Sequence, residues 1–236
     1  MPRAFLAWVE SDRMRIGAIP ERGEAIVGRT ADAQIVVPGE TVSRRHASVR
    51  SDGNGFVIEN LSSTNVTQMN GAAISAPTPV KNGDRVSFGN TIAEFHDLAA
   101  MDRVGDLTCS HCTRANAVSR SECWFCGTSL VNAPTVRLAK RAVVCRAMSA
   151  GGESHDLFDG DVLLLRGHGQ GEVIEGAADQ RRDEPAVVAR DGHASLESGS
   201  AGRGVVVNGE APAAGQPLTS GDEIRVGEQA FVVAIR

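Results

Sequence analysis

The chain has no tyrosine, no excess of basic residues, and no apolar signal core behind Met1-Pro2-Arg3-Ala4-Phe5-Leu6. Nor does any apolar run approach the roughly 18 to 20 residues that a membrane-spanning helix needs. A cytoplasmic location is therefore expected, with no membrane partner. The formal charge of -5 argues against nucleic acid as a partner, because a phosphate-backbone binder carries a basic face. Catalysis is not expected either. There is no phosphate-cradling glycine loop with its lysine, no Gly-x-Ser-x-Gly elbow, and no metal-ligand set left short of four protein donors.

Sustained 3.6-residue periodicity is also missing. Residues 5 to 96 show short apolar runs broken by Gly, Asn, Asp and Pro, so strands are predicted at Phe5–Val9, Met14–Ile19, Glu24–Gly28, Ile35–Val37, Ala47–Arg50, Phe56–Asn60, Arg85–Phe88 and Thr91–His96. Turns are expected at Asp52-Gly53, Asn70-Gly71 and Asn82-Gly83-Asp84. Many short strands at this spacing read as a β-sandwich.

A second strand-rich stretch follows from about Arg141 to Arg236, and the two halves share four marks in the same order. Gly23–Arg29 matches Gly160–Arg166, His46-Ala47-Ser48-Val49 matches His193-Ala194-Ser195-Leu196, Asn70-Gly71 matches Asn208-Gly209, and Gly83-Asp84 matches Gly221-Asp222. This order implies an internal duplication. The matching places Arg190 at the position of Ser43 and Asp191 at that of Arg44, so the second copy is expected to have lost any anion site of the first.

Four of the five cysteines form two pairs, Cys109-x2-Cys112 and Cys123-x2-Cys126-Gly127, separated by ten residues. Two such knuckles supply four thiolates, the tetrahedral set of one structural Zn2+, and that metal would provide folding energy to a segment too small for its own core. His96 and His111 are not needed as ligands and are read as ordinary surface histidines. Cys145, in an apolar strand, is expected to be a buried, inert thiol. The expected plan is all-β: a sandwich over 1–98, a zinc ribbon over 105–130, a linker over 131–140 and a degenerate second sandwich over 141–236.

The residues Gly28-Arg29, Ser43-Arg44-Arg45-His46, Asn60-Leu61-Ser62-Ser63-Thr64-Asn65 and Asn70-Gly71 resemble the forkhead-associated (FHA) domain, a reader of phosphothreonine peptides. The chemistry is consistent with such a ligand: a phosphate with about -1.5 to -2 charges calls for guanidinium and hydroxyl donors. The resemblance implies that Arg29 and Ser43 grip the phosphate with Arg44 beside them. It also implies that Thr64 lies under the threonine methyl or the phosphate, and that Asn65 bonds the peptide backbone. His46 is implied to buttress the loops, and Gly28 to permit close backbone approach. Val66 stands where the family has Gly after Asn65, so the loop is expected to bend differently there.

The cysteine segment resembles a short bacterial zinc ribbon with Asn116 at its Asn position, and also the Ran-binding-protein type of finger. Leu107 replaces the stacking Trp of the latter, and Trp124 and Phe125 are expected to pack. The FHA resemblance implies a Ser/Thr kinase upstream and a phosphothreonine protein as partner. Thr135, on the linker, is a possible self-ligand if phosphorylated. Two competing readings are a single-stranded RNA binder acting through the zinc module and a phosphorylation-independent assembly subunit.

Overall fold

The computed structural model describes residues 3–53, 55–98, 100–101, 107–116, 121–123, 125–131, 133, 141–166, 171–179, 183–197 and 204–236. Trp124, Thr135 with most of the expected linker, and residues 198–203 lie outside them. The chain divides into two compact units, Met1–Ala99 with Val143–Arg236, and Ala100–Ala142. Among the described residues no helix is long and apolar enough to cross a membrane.

The first sandwich is built from β1 (Ala4–Glu10), β2 (Arg13–Ile19), β3 (Glu24–Gly28), β4 (Ile35–Val36), β5 (Ala47–Ser51) and β6 (Phe56–Asn60). It continues with β7 (Gln68–Met69), β8 (Ala72–Ala73), β9 (Thr78–Val80), β10 (Arg85–Phe88) and β11 (Thr91–Asp97). One sheet runs β2-β1-β11-β10-β7-β8 and the other β4-β3-β5-β6-β9. Alternate residues such as Leu6 and Trp8, Val49, Ile58, Phe88 and Phe95 meet between them, as period-two patterning requires. The predicted strands are all present, and the short β7, β8 and β9 were not anticipated.

The small unit holds β12 (Ala100–Met101) paired with β15 (Arg141–Ala142), and β13 (Leu107–Thr108) paired with β14 (Ala115–Asn116).

The second sandwich comprises β16 (Cys145–Ser149), β17 (Ser154–Leu157), β18 (Val162–Leu164), β19 (Glu172–Ile174), β20 (Ala186–Arg190) and β21 (His193–Glu197). It closes with β22 (Val205–Val207), β23 (Gln216–Pro217), β24 (Glu223–Val226) and β25 (Gln229–Ile235). Its sheets run β17-β16-β25-β24-β22 and β19-β18-β20-β21-β23, the same order as in the first sandwich less β8.

The turns repeat as well. Asn70 and Asn208 both adopt positive φ, 51° and 53°. Asn70 Nδ2 donates to Asp84 Oδ1 at 2.9 Å, and Asn208 Nδ2 donates to Asp222 Oδ1 at 2.8 Å. One of the four sequence marks does not superimpose. His46-Ala47-Ser48-Val49 enters β5, whereas His193-Ala194-Ser195-Leu196 lies on β21, the counterpart of β6. Asp191-Gly192 is thus the hairpin turn matching Asp52-Gly53, and not the counterpart of Arg44-Arg45. A short apolar motif fits any half-buried strand, so it could not fix the register.

The two sandwiches stack through the outer faces of the sheets containing β1 and β25. Phe5, Ala7 and Leu98 on one side bury against Val143, Met148, Phe158 and Ala234 on the other, with Met14 and Ile16 at the margin. Arg146 crosses this seam at 4% exposure. Its Nε and Nη2 donate to both oxygens of Asp156, the latter at 2.9 Å, and its Nη1 donates to Asn82 Oδ1 at 3.0 Å and His96 Nδ1 at 2.7 Å. His96 is therefore buried, contrary to its reading as a surface residue, because the second sandwich covers the sheet face that carries it. Cys145 is fully buried, which pushes its thiol up to about 12.

Candidate functional site

The end of β3 and the loop from β4 to β5 are tied together through their backbones. A Cβ at Gly28 would overlap the Arg44 carbonyl oxygen, so only glycine permits this approach. Arg29 N donates to the Ser43 carbonyl at 3.1 Å, and Thr30 Oγ1 donates to the Arg44 carbonyl at 3.4 Å. Arg29, Ser43 and Arg44 thereby share one rim of the first sandwich. Gly28→Ala is expected to cost about 1 to 3 kcal/mol through overpacking, read as a lower urea midpoint. An unchanged midpoint would contradict the close approach.

His46 is fully buried behind this rim, with its ring edge-on to Phe88 at 5.6 Å between centroids. Its Nδ1 accepts from Ser43 N at 3.0 Å, its backbone N donates to the Val27 carbonyl at 2.8 Å, and its carbonyl accepts from Leu61 N at 2.9 Å. Burial holds its pKa below the ordinary histidine value. A neutral ring accepting at Nδ1 keeps the Ser43 backbone in place.

The loop from β6 to β7 closes on the same rim. Ser43 Oγ lies 2.7 Å from Ser62 Oγ, which also accepts from Asn65 N at 3.2 Å. Either hydroxyl can be the donor of the Ser43–Ser62 bond; where Ser62 donates, the Ser43 hydroxyl proton is left to point outward. Asn65 Nδ2 donates to the Thr41 carbonyl at 2.9 Å, and its Oδ1 accepts no hydrogen bond among the described residues. Thr64 is exposed beside it. Val66 is not among the residues with positive φ. The loop is instead held by Asn60, whose Oδ1 accepts from Ser62 N at 3.3 Å and Thr67 N at 2.9 Å.

Ser62 is the residue that sequence reasoning passed over. It is 4% exposed and joins Ser43 to Asn65. An Asn followed two residues later by an amide it can accept is an Asx-turn signature, and that signal was available in Asn60-Leu61-Ser62.

Arg29, Arg44 and Arg45 are exposed and make no ion pair or side-chain hydrogen bond among the described residues. The Asp32 carboxyl nearby lies below its ordinary pKa, chiefly through the Thr30 hydroxyl and its own amide, with Arg44 and Arg45 adding positive field. In the second sandwich Arg166 is the counterpart of Arg29 and is paired, whereas Arg190 lies at the hairpin end of β20 and has no counterpart on the rim. Arg166 meets Glu172 at 2.8 Å and Glu184 at 3.7 Å, while Arg190 meets Asp179 at 3.2 Å and the Ala178 carbonyl.

In the small unit the four cysteines converge. Their Sγ atoms all lie within 4.8 Å of one another, with 3.6 Å between Cys109 and Cys126, Cys112 and Cys123, and Cys126 and Cys112. A tetrahedron of thiolates about 2.3 Å from zinc has edges of about 3.8 Å, so the donor set fits that ion. The two knuckles are alike. Thr113 N donates to the Cys109 carbonyl at 2.9 Å and Gly127 N to the Cys123 carbonyl at 3.0 Å, with φ of 60° and 71° at these two residues. The Thr128 hydroxyl and backbone amide hold the Cys126 thiol below its ordinary pKa, which favours the thiolate a metal takes. Phe125, expected to pack, is 57% exposed, with the Arg114 guanidinium 3.5 Å above its ring.

A family model described as the FHA domain matches residues 25–89. The FHA domain-containing protein FhaA of Mycobacterium tuberculosis is 38% identical over 69 residues, covering 29% of this chain and 13% of that protein. FhaB of Mycolicibacterium smegmatis is 32% identical over 70 residues, covering 30% of this chain and 45% of that protein. The match thus spans less than half the length of either relative. Among solved structures, the FHA domain of the CT664 protein from Chlamydia trachomatis is 25% identical with a TM-score of 0.39, covering 41% of this chain and 99% of that one. The FhaA FHA domain complexed with the intracellular domain of Rv3910 is 31% identical with a TM-score of 0.35, covering 39% of this chain and 99% of that one.

Proposed function

Because residues 25–89 are an FHA domain, we propose that this chain is a phosphothreonine-peptide-binding adaptor that acts downstream of a Ser/Thr kinase in the cytoplasm. The observation that carries the reading is that Arg29 and Arg44, on the rim that also holds Ser43 and Asn65, make no ion pair or side-chain hydrogen bond among the described residues. In this role Arg29 supplies a fork of donors to the phosphate, Ser43 a hydroxyl proton steered by Ser62, and Arg44 further positive charge. Thr64 and Asn65 face the threonine and the adjoining peptide backbone.

The second sandwich is, in this proposal, a degenerate copy with no phosphate site, its counterpart of Arg29, Arg166, being paired with Glu172 and Glu184. The cysteine module holds one structural Zn2+ through Cys109, Cys112, Cys123 and Cys126, and the metal's contribution is to cross-link the two knuckles. The chain carries no catalytic role.

The test is fluorescence anisotropy of a degenerate phosphothreonine peptide pool against the full chain. Phosphate-dependent binding should weaken about tenfold to a hundredfold in Ser43→Ala and in Arg29→Ala, the range for one hydrogen bond to a charged group. Ser62→Ala should fall between these variants and the wild type. Equal binding of the phosphorylated and unphosphorylated pools would remove the reading in favour of a phosphorylation-independent assembly subunit.

A further inference from the structure

Apart from the phosphate rim, the two-sandwich unit has a cleft of about 590 Å³ between β2 and the outer face of the second sandwich. Four consecutive residues of β2, Arg13 to Ile16, line it. Successive side chains of a strand point to opposite faces, so a cleft lined by four in a row runs along the strand's edge and meets its backbone. That edge is open. β2 pairs with β1 alone, and residues 13 to 16 make no other backbone hydrogen bond among the described residues.

The floor is apolar with charge at its sides. Val206 of β22 and Val232 of β25 line the cleft together with Arg225 and Glu223 of β24. Arg13 and Arg15 of the strand edge and Arg225 line the cleft with one acidic residue, Glu223, in a chain whose net charge is -5. Met14 and Ile16 face the seam, so Arg13 and Arg15 lie on the opposite face of β2. Arg15 reaches Glu10 at 3.2 Å and Arg225 reaches Glu223 at 2.8 Å. Arg13 is exposed and makes no ion pair among the described residues.

An open strand edge beside an apolar floor is the geometry of strand addition, in which main-chain bonds supply affinity and side-chain chemistry supplies choice. In the register centred on Met14, two antiparallel copies of β2 would bring Arg13 against Arg15, and like charges directly across a ladder destabilise it. We propose that the open edge of β2 takes up an extended acidic peptide segment of a partner protein as an added strand, seated over β22, β24 and β25. This site shares no residue with the phosphate rim and needs no phosphorylation of its ligand.

The probe is an unphosphorylated, fluorescein-labelled peptide of alternating Glu and Val, about six residues long, titrated into the full chain. Saturable binding is expected, with about a tenfold loss in the double variant Arg13→Glu, Arg225→Glu. Loss is also expected when alternate peptide nitrogens are methylated, which removes ladder donors and leaves the protein untouched. Arg29→Ala and Ser43→Ala should bind the probe as the wild type does, and hydrogen exchange should slow at residues 13 to 16. Absence of binding, equal binding of the N-methylated peptide, or equal displacement by a short RNA would each overturn the proposal, the last two by reducing it to unspecific charge attraction. Concentration-dependent dimerisation blocked by Arg13→Glu would overturn it as well, in favour of a second copy of this chain.

Discussion

Arg146→Ala is expected to lower the stability of the two-sandwich unit by about 3 kcal/mol, near the lower end of the range for breaking a buried ion pair. The substitution leaves the Asp156 carboxylate, Asn82 Oδ1 and His96 Nδ1 as acceptors without their shared donor at a seam. Asp156 keeps 25% side-chain exposure, so water can recover part of the loss. Urea denaturation at neutral pH reads the effect. A midpoint shift no larger than that of an exposed arginine variant would show that the seam does not depend on this residue.

The same cluster sets a pH dependence. Arg146 can only donate, so His96 must accept at Nδ1 and be neutral in the fold. Burial first, and then the Arg146 charge, depress its pKa from 6.5 to about 4, with Asp156 opposing and Glu94 Oε1 3.8 Å from Nε2. A group depressed in this way binds more protons unfolded than folded between those two values, so stability rises with pH across that window. The contribution is complete above pH 6.5 and is lost as pH falls toward 4, to an upper bound of about 3 kcal/mol. Comparing wild type with His96→Gln at pH 7 and pH 5 isolates it from the carboxylates. Parallel pH profiles for the two proteins would contradict the neutral, buried histidine.

Zinc removal is the second large effect. If the four thiolates hold the ion, its binding free energy of about 10 to 16 kcal/mol is what folds Ala100–Ala142, because among the described residues that unit's buried apolar cluster is little more than Leu107, Leu130 and the cysteines themselves. A strong chelator, or Cys109→Ser, should make residues 100 to 142 susceptible to protease while the two-sandwich unit stays resistant. Metal analysis should give one zinc per chain. Protein purified from zinc-containing medium that carries no zinc, and whose proteolysis a chelator does not change, would remove the metal from the account.

Much of this molecule can be read along the chain, and the reason is locality. A strand's alternation, the Asn-Gly and Gly-Asp turns that repeat at Asn70, Gly83, Asn208 and Gly221, and the two cysteine knuckles all express themselves within a few residues. The motif residues Arg29, Ser43, Arg44, Thr64 and Asn65 stood out because loops at strand ends carry polar side chains that no core demands. What failed was non-local. The match of His46-Ala47-Ser48-Val49 to His193-Ala194-Ser195-Leu196 paired strands that occupy different places in the sheet.

The stacking of the sandwiches shows where sequence stops. Ala4-Phe5-Leu6-Ala7-Trp8 and Phe231-Val232-Val233-Ala234-Ile235 are apolar on both faces, a pattern that by itself determines burial on both sides of the strand. It does not name the surface that covers the outer face, because hydrophobic burial is non-directional. Only the tertiary structure decided that these strands face each other across Arg146 and His96, and that Ser62 reaches Ser43. Such pairings depend on distances between residues far apart in the chain, which alternation and turn chemistry do not encode.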